Sequence, residues 1–190
     1  MLSVSKNKCV GCGTCVNECP TNSIAVKNSV ASIDDENCEN CGSCIEVCTQ
    51  HAIMDIAQEF LVAIGTDDGN TIKSDDHVGM SKDFQVWQYS NGELALKETR
   101  KNAKYREDKS RTHGDLGKAE ATASVLKNID VLIGQMFGPN ISRLKNKFVC
   151  AVIRGNKSIK EGIDVIKENI NEIIEENDKE ERQGIILNDF

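Results

Sequence analysis

Eight cysteines in the first fifty residues have the number and spacing of ligands for metal–sulfur clusters. They form two runs with the same C-x2-C-x2-C-x3-C spacing: Cys9, Cys12, Cys15 and Cys19, then Cys38, Cys41, Cys44 and Cys48. In this spacing three thiolates bind one [4Fe–4S] cluster, and the fourth cysteine binds the other cluster. The sequence therefore predicts two interlocked clusters, with electron transfer as their chemistry.

Two other uses of these cysteines fit the sequence less well. A disulfide framework needs an oxidising compartment, and the rest of the chain has one further cysteine, Cys150. Structural zinc sites usually pair two C-x2-C units across a longer gap than the one in either run. Both comparisons favour the iron–sulfur interpretation.

The two runs belong to a longer internal repeat. Each cysteine of the first run recurs 29 residues later, Gly13 corresponds to Gly42, and Ile24 corresponds to Ile53. Glycines beside the ligands let backbone N–H groups approach the cluster closely, and such hydrogen bonds help to set its reduction potential. The repeat predicts a module built from two similar halves.

With this double run, residues 1 to about 57 resemble the bacterial-type two-cluster ferredoxins. The resemblance implies an α+β, ferredoxin-like βαββαβ module with pseudo-twofold symmetry. It also implies that Cys9, Cys12, Cys15 and Cys48 hold cluster one, and that Cys38, Cys41, Cys44 and Cys19 hold cluster two. His51 corresponds to Asn22 in the other half, so we expect a solvent-facing turn residue there rather than a ligand.

The length of 190 residues suits two small domains. Cysteine density falls near residue 58, which predicts a ferredoxin domain over 1–57, a second domain over 59–174 and an acidic tail over 175–190. The last dozen residues are expected to be frayed, although residues 185–187 are apolar enough to dock. A formal charge of −7 gives no support for nucleic-acid binding. Without a membrane-spanning stretch or a signal-peptide pattern, we expect a cytoplasmic protein that avoids membranes.

The second domain alternates strand and helix patterns. Buried strands are predicted at 60–64, 131–133 and 148–153, and a hairpin at 84–89 and 94–99 around Asn91 and Gly92. Helices are predicted at 118–128, 140–144 and 159–176. This order predicts a three-layer α/β domain with a mixed sheet, whose ligand loops lie at the carboxyl ends of the parallel strands.

Several loop residues of this domain have types that bind clusters. His77 and His113 lie in predicted loops and offer neutral imidazole, a good ligand for iron, although each also fits an ordinary surface role. Gly134, Gly138 and Asn140 precede a short helix whose free N–H groups suit an anion, or they form a plain tight turn.

Other candidates are more often structural. Cys150 lies inside a predicted strand, where a free cysteine is usually a small buried hydrophobe, and thioether ligation by Met80 or Met136 is a remote alternative. Residues 97–118 contain eight Lys or Arg in an otherwise acidic chain. This basic segment fits a loop that closes over an anionic cluster, a docking surface for an acidic partner, or solvated surface.

Four stretches of this domain together resemble the dinitrogenase iron–molybdenum cofactor biosynthesis family, which includes NifX-type carriers and the C-terminal domain of NifB-type proteins. They are residues 63–67, residues 76–80 with Phe84, His113 with Gly114, and residues 131–134 with Gly138 and Pro139. The resemblance implies an α/β, ribonuclease-H-like fold without nuclease function. It also implies binding of iron–sulfur or molybdenum-containing clusters during their assembly or delivery.

Together these patterns predict a two-domain fusion that is more a non-enzymatic electron-transfer and cluster-binding protein than an enzyme. Tethering raises the effective concentration of one site at the other, so the ferredoxin is placed to reduce or supply the cluster held next to it. Expected partners are redox proteins and cluster donors or acceptors. Two alternatives remain open: a plain electron carrier whose second domain docks a redox partner, and an iron–sulfur storage or scaffold protein.

Overall fold

A computed structural model describes residues 1–55, 59–103 and 116–188. The chain divides into two compact units, an N-terminal unit, Met1–Gln58, and a C-terminal unit, Glu59–Phe190. Within the described ranges, no helix has the length and apolar character that crossing a membrane requires.

The N-terminal unit consists of two short helices and two small antiparallel sheets. One sheet pairs β1 (Leu2–Val4) with β4 (Ile53–Asp55), and the other pairs β2 (Ile24–Lys27) with β3 (Val30–Ile33). The helices are α1 (Thr14–Asn17) and α2 (Ser43–Glu46), each beginning directly after the second cysteine of a run.

The backbone of this unit repeats in step with its sequence. Gly13 and Gly42 precede the two helices with φ of 81° and 82°, a left-handed conformation that glycine adopts without steric cost. Asn22 and His51 follow the two runs with φ of 55° and 48°. His51 is exposed, as its place in the repeat predicts.

The core of the N-terminal unit is small and contains cysteine. Cys15 and Cys44 are buried together with the apolar side chains of Leu2, Ile24, Ala31 and Ile53. A unit of this size buries little apolar surface, so bonds through its cysteines are needed to hold it together.

The C-terminal unit is built on a six-stranded mixed sheet in the order β10-β9-β8-β5-β6-β7. Its strands are β5 (Phe60–Thr66), β6 (Asp83–Ser90), β7 (Glu93–Lys101), β8 (Val131–Gly134), β9 (Val149–Ile153) and β10 (Ile185–Leu187). β5, β6 and β7 pair antiparallel, whereas β5, β8, β9 and β10 pair parallel. The predicted mixed sheet is confirmed.

The turn at Asn91 and Gly92 joins β6 to β7 as predicted. Their φ values of 50° and 83° are those of the two-residue turn that matches strand twist. The register between the two strands shifts beyond this turn, because Trp87 faces Leu96 whereas Val86 faces Glu98. The shift leaves one extra residue in β7, a β-bulge.

Helices cover both faces of the sheet. They are α3 (Leu116–Val125), α4 (Ile141–Leu144), α5 (Ile159–Glu168) and α6 (Ile170–Asn177). Leu132 and Cys150 share a buried cluster with Leu144 of α4 on one face. Ile153 points to the other face, where Gly162 of α5 approaches it.

One prediction for the end of the chain needs correction. The helix predicted over 159–176 is interrupted at Asn169, whose buried side-chain amide donates to the carbonyls of Val165 and Asn188 at 2.8 Å. Residues 185–187, the apolar part of the tail, dock as β10 beside β9, and α6 ends at Asn177, close to the predicted end of the helix.

Glu176 explains why this acidic segment is ordered. Its side chain is buried, and its carboxylate accepts the N–H groups of Gln183 and Gly184 and pairs with Lys179. Burial acts to raise the pKa of Glu176, but these hydrogen bonds lower it by more. The pKa therefore lies below its ordinary value. The carboxylate thus closes the turn that leads into β10.

Candidate metal–sulfur centres

A small cavity, partly open to solvent, lies among the cysteines of the N-terminal unit. Cys9, Cys12 and Cys15 of the first run line it together with Cys48, the last cysteine of the second run. The fold therefore brings together the four residues that the ferredoxin resemblance implied for cluster one. Most other lining residues are small or apolar, including Gly11, Ala31 and Ile53.

The remaining four cysteines of the two runs are also neighbours. The thiolate charges of Cys38 and Cys41 lie close enough to Cys44 to act to raise the pKa of its thiol. The charge of Cys19 acts in the same way on the pKa of Cys41. This grouping is the set implied for cluster two. Cys15 also acts on Cys44, so the two sets lie side by side.

The arrangement of these thiols differs from a site for one metal ion. Among residues 1–55, 59–103 and 116–188, no three His, Cys, Asp or Glu side chains converge on one ion position. A zinc ion needs its ligands at about 2.3 Å around one point. A cubic iron–sulfur cluster binds its thiolates through separate irons, so its ligands need not converge on one point.

Backbone amides point at four of the ligand sulfurs. The donors and acceptors are Ala31 to Cys9, Ser23 to Cys19, Asn40 to Cys38 and Ala52 to Cys48, at 3.3–3.4 Å. Amide donors stabilise negative charge on sulfur, and this is the environment that a cluster thiolate requires.

Hydroxyl groups act on the outermost thiols. Thr14 Oγ1 lies 3.5 Å from Cys12 Sγ, and Ser43 Oγ lies 3.5 Å from Cys41 Sγ, at equivalent places in the repeat. These hydroxyls lower the pKa of both thiols. Burial raises the pKa of Cys15 and Cys44, so in the inner pair the proton must be displaced by the metal.

In the C-terminal unit, the loop between β5 and β6 is seated on two glycines. Val78 begins a 3₁₀ turn and packs directly over Gly65 and Gly134, at the carboxyl ends of β5 and β8. A Cβ atom at Gly134 would lie 2.6 Å from Val78 Cβ, so a larger residue would displace the loop. The Val78 N–H also donates to the Met136 carbonyl at 2.8 Å.

The seated loop holds His77 at a defined position. Its ring packs on Gly138, where an added Cβ would lie 2.7 Å from His77 Cδ2. His77 Nδ1 is buried and has no hydrogen-bond partner among the residues that the structure describes. Leaving a buried polar atom unpaired costs free energy, so this nitrogen is suited to bind a ligand.

Two thioether side chains belong to the same loops, and a cationic side chain from α3 lies beside one of them. Met80 and Met136 are large apolar side chains that remain 39% and 41% exposed. The Lys118 ammonium of α3 lies next to Met80 Sδ. The surroundings of His77 therefore combine a nitrogen donor, two thioethers and a positive charge, which are attractive to an anionic metal–sulfur species.

Two sequence-family models match the chain. The model described as 4Fe-4S dicluster domain matches residues 1–49, and the model described as Dinitrogenase iron-molybdenum cofactor matches residues 58–177, more than half of the chain. The chain belongs to the dinitrogenase iron–molybdenum cofactor family. The predicted fusion is confirmed, and the protein is an iron–sulfur, metal-binding protein with cluster-related electron transfer. A search among curated proteins gives no match.

Within this family domain, Gly134, Gly138 and Asn140 have structural roles in the loop after β8. Gly134 makes room for Val78 and Gly138 makes room for His77. Asn140 Oδ1 accepts from Arg143, while the N–H groups of Ile141 and Arg143 donate to the carbonyls of Gly138 and Asn140. Direct contact of this loop with a cofactor stays a prediction.

The other candidate residues from the sequence are the basic segment, which includes His113, and Cys150. His113 and residues 104–115 of the basic segment lie outside the described residues. Within its described part, Arg100 binds Glu98 and the carbonyls of Val125 and Lys127, so it caps the end of α3. Cys150 is buried in β9, where burial raises its pKa to about 12, in agreement with the expected hydrophobic role.

One supporting residue could not be predicted from the sequence. Asn102, just after β7, donates its side-chain amide to the carbonyls of Gly79 and Ser81 at 3.0 and 2.7 Å. It thereby ties the 3₁₀ turn that carries His77 to the edge of the sheet. A lone asparagine after a strand has no sequence pattern that reveals such a contact.

Proposed function

We propose that the N-terminal unit holds two [4Fe–4S] clusters and relays single electrons, and that the C-terminal unit carries an anionic metal–sulfur cluster, a precursor of the iron–molybdenum cofactor type, on the His77 loop. Bound iron–sulfur clusters supply one-electron redox chemistry. We also propose that the first unit is ferredoxin-like and the second ribonuclease-H-like. The mixed sheet, with a hairpin on one side and parallel strands on the other, supports the second assignment.

The cavity that joins the two runs carries the first part of this proposal. Cys48 lines it with Cys9, Cys12 and Cys15, although Cys48 is far from them in sequence. The repeat supports the matching set of Cys38, Cys41, Cys44 and Cys19. The amide and hydroxyl donors around the sulfurs then hold negative charge in a fixed, partly buried place.

The buried Nδ1 of His77, which has no hydrogen-bond partner within residues 1–55, 59–103 and 116–188, carries the second part. Imidazole nitrogen is a ligand for iron, and the Gly138 backbone beneath the ring fixes its orientation. Lys118 adds the positive charge that an anionic cluster requires. His113 is a further candidate ligand on sequence grounds.

The fusion places both activities in one chain. We propose that the N-terminal unit reduces or supplies the cluster held by the C-terminal unit, since tethering raises their effective concentration. Redox proteins and cluster donors or acceptors are the partners this role requires, in the cytoplasm.

The test is anaerobic metal and sulfide analysis of the reconstituted full chain. About eight iron atoms per chain are expected for two clusters. After incubation with thiomolybdate or a preformed iron–sulfur cluster and removal of excess, we expect further metal to be retained. His77→Ala should lose it, whereas His51→Ala, which changes an exposed histidine, should retain it. His113→Ala tests the remaining candidate.

Each result selects one interpretation. Retention that depends on His77 supports a carrier. If no metal beyond about eight irons is held, the protein is an electron carrier whose C-terminal unit docks a partner. Iron and sulfide far above that number, with assembly into larger particles, would indicate storage or scaffolding.

A further inference from the structure

The two ligand sets of the N-terminal unit differ in the number of hydroxyl groups that contact their sulfurs, which the repeat does not predict. Two kinds of sulfur contact come in pairs at equivalent positions: Ser23 and Ala52 amides to Cys19 and Cys48, and Thr14 and Ser43 hydroxyls to Cys12 and Cys41. Cys9 and Cys38 also accept one amide each, from the non-equivalent residues Ala31 and Asn40. An additional hydroxyl, from Thr21, lies 3.6 Å from Cys19 Sγ. The symmetric position, residue 50, is an exposed glutamine without a hydroxyl.

A second hydroxyl supports this contact. Thr21 Oγ1 lies 2.5 Å from Ser23 Oγ, and Ser23 is buried. A metal-bound Cys19 thiolate can only accept, so Thr21 must donate to it and Ser23 must donate to Thr21. Hydroxyls in such a chain polarise one another, which strengthens the final bond to sulfur. The position symmetric to Ser23 is Ala52, so the other half has no counterpart of this chain.

We propose that Thr21 and Ser23 make the Cys19-ligated cluster the higher-potential member of the pair, where the first electron from a one-electron donor resides. This inference rests on the proposed two-cluster function. Reduction adds negative charge, and hydrogen bonds to ligand sulfur stabilise that charge, so they raise the reduction potential. Apart from this chain, each set accepts two amides and one hydroxyl among the described contacts, so the hydroxyl chain is the difference in donors between the two sets.

Exposed carboxylates near the same ligand set lower its reduction potential. Asp35, Glu36 and Glu39 lie in exposed positions near Cys38, and negative charge disfavours reduction. Exposed charges are screened by solvent and salt, whereas the Ser23 hydroxyl is buried. All variants used in the test retain these carboxylates, so their effect on the potentials is the same in each variant.

The test is an anaerobic redox titration of the full chain, followed by electron paramagnetic resonance. Paramagnetic NMR of the cysteine β-protons in partly reduced protein assigns each midpoint to Cys19 or Cys48. In Thr21→Val we expect the higher midpoint to fall. The equilibrium constant for placing the electron on the Cys19-ligated cluster and not on the other should drop roughly fivefold, because this is the contribution of one ordinary hydrogen bond. Thr21→Ser keeps the hydroxyl and should leave both midpoints unchanged.

A gain-of-function variant tests the same idea from the other half. Gln50→Thr combined with Ala52→Ser places the hydroxyl pair beside Cys48, and it should raise the lower midpoint. Ser23→Ala copies the residue already present at position 52, so folding should tolerate it, and it should lower the higher midpoint. These two variants decide the question if Thr21→Val does not retain its iron.

The outcomes separate this inference from the proposed function. Fewer than about eight irons in the unmodified chain would refute the two-cluster function itself. With the full iron content, assignment of the higher midpoint to the Cys48 set would refute the inference alone. Midpoints that stay unchanged in Thr21→Val and in the Gln50→Thr, Ala52→Ser variant would refute it as well.

Discussion

Glu176 offers a direct test of how the acidic C-terminal segment is held in the fold. Its side chain is 1% exposed, and its Oε1 accepts two backbone N–H groups. A hydrogen bond to a charged group contributes about 1.5–3 kcal/mol, and rehydration of the released N–H groups returns part of this. We therefore expect Glu176→Ala to cost about 2–4 kcal/mol of unfolding free energy. Glu176→Gln keeps a neutral acceptor and should cost less than Glu176→Ala.

Trp87 makes the measurement specific to the C-terminal unit, because it is the one tryptophan of the chain and lies in β6. Urea unfolding followed by its fluorescence gives the free energy, and hydrogen exchange of residues 185–187 reports the release of β10. Glu180→Gln removes the same charge from an exposed position and should change stability by less than about 0.5 kcal/mol. If Glu176→Ala were as stable as Glu180→Gln, the assigned role of the buried carboxylate would be wrong.

The pKa of Glu176 gives this prediction a pH dependence. Its folded pKa is lowered, so its contribution is present above the unfolded value of about 4.3. It is lost as the pH falls through the lower folded value. Glu176→Gln should therefore flatten the decrease in stability below about pH 4.

Two further predictions concern the proposed sites. Gly138→Ala should displace the His77 ring and reduce molybdenum retention, whereas Gly79→Ala, whose Cβ would meet its nearest neighbour at 3.9 Å, should retain it. Equal retention in both would contradict the role of the glycine seat. Cys48→Ser should lower the iron content through loss of one cluster, whereas Cys150→Ala should keep about eight irons. Iron analysis checks this, and full iron in Cys48→Ser would exclude Cys48 as a required ligand.

Features set by local chemistry were predictable from the sequence. The two cysteine runs carry their own ligand spacing, and Asn91 with Gly92 adopts the positive φ values that a tight hairpin needs. The buried strands are short apolar runs, and their burial in a sheet requires little more than that composition. These signals were sufficient to predict the mixed sheet and the fusion of two units.

Features set by tertiary contacts were not predictable. The interruption at Asn169 depends on a bond to the Asn188 carbonyl, and the order of residues 175–187 depends on Glu176 reaching two amides beyond it. Similarly, Gly138 in sequence suggests a turn, and only the fold reveals that its missing side chain makes room for His77. The asymmetry at Thr21 was not predictable for the same reason, because it depends on a contact between two side chains and not on a sequence motif.

The buried position of Cys15 and Cys44 has a consequence for the lifetime of the protein in a cell. Because these thiols are part of the core, the free energy of metal binding is also free energy of folding for the N-terminal unit. When iron is scarce, newly made chains would remain loosely folded there and open to proteases. We expect the steady-state amount of the protein to follow the iron supply, even with transcription held constant.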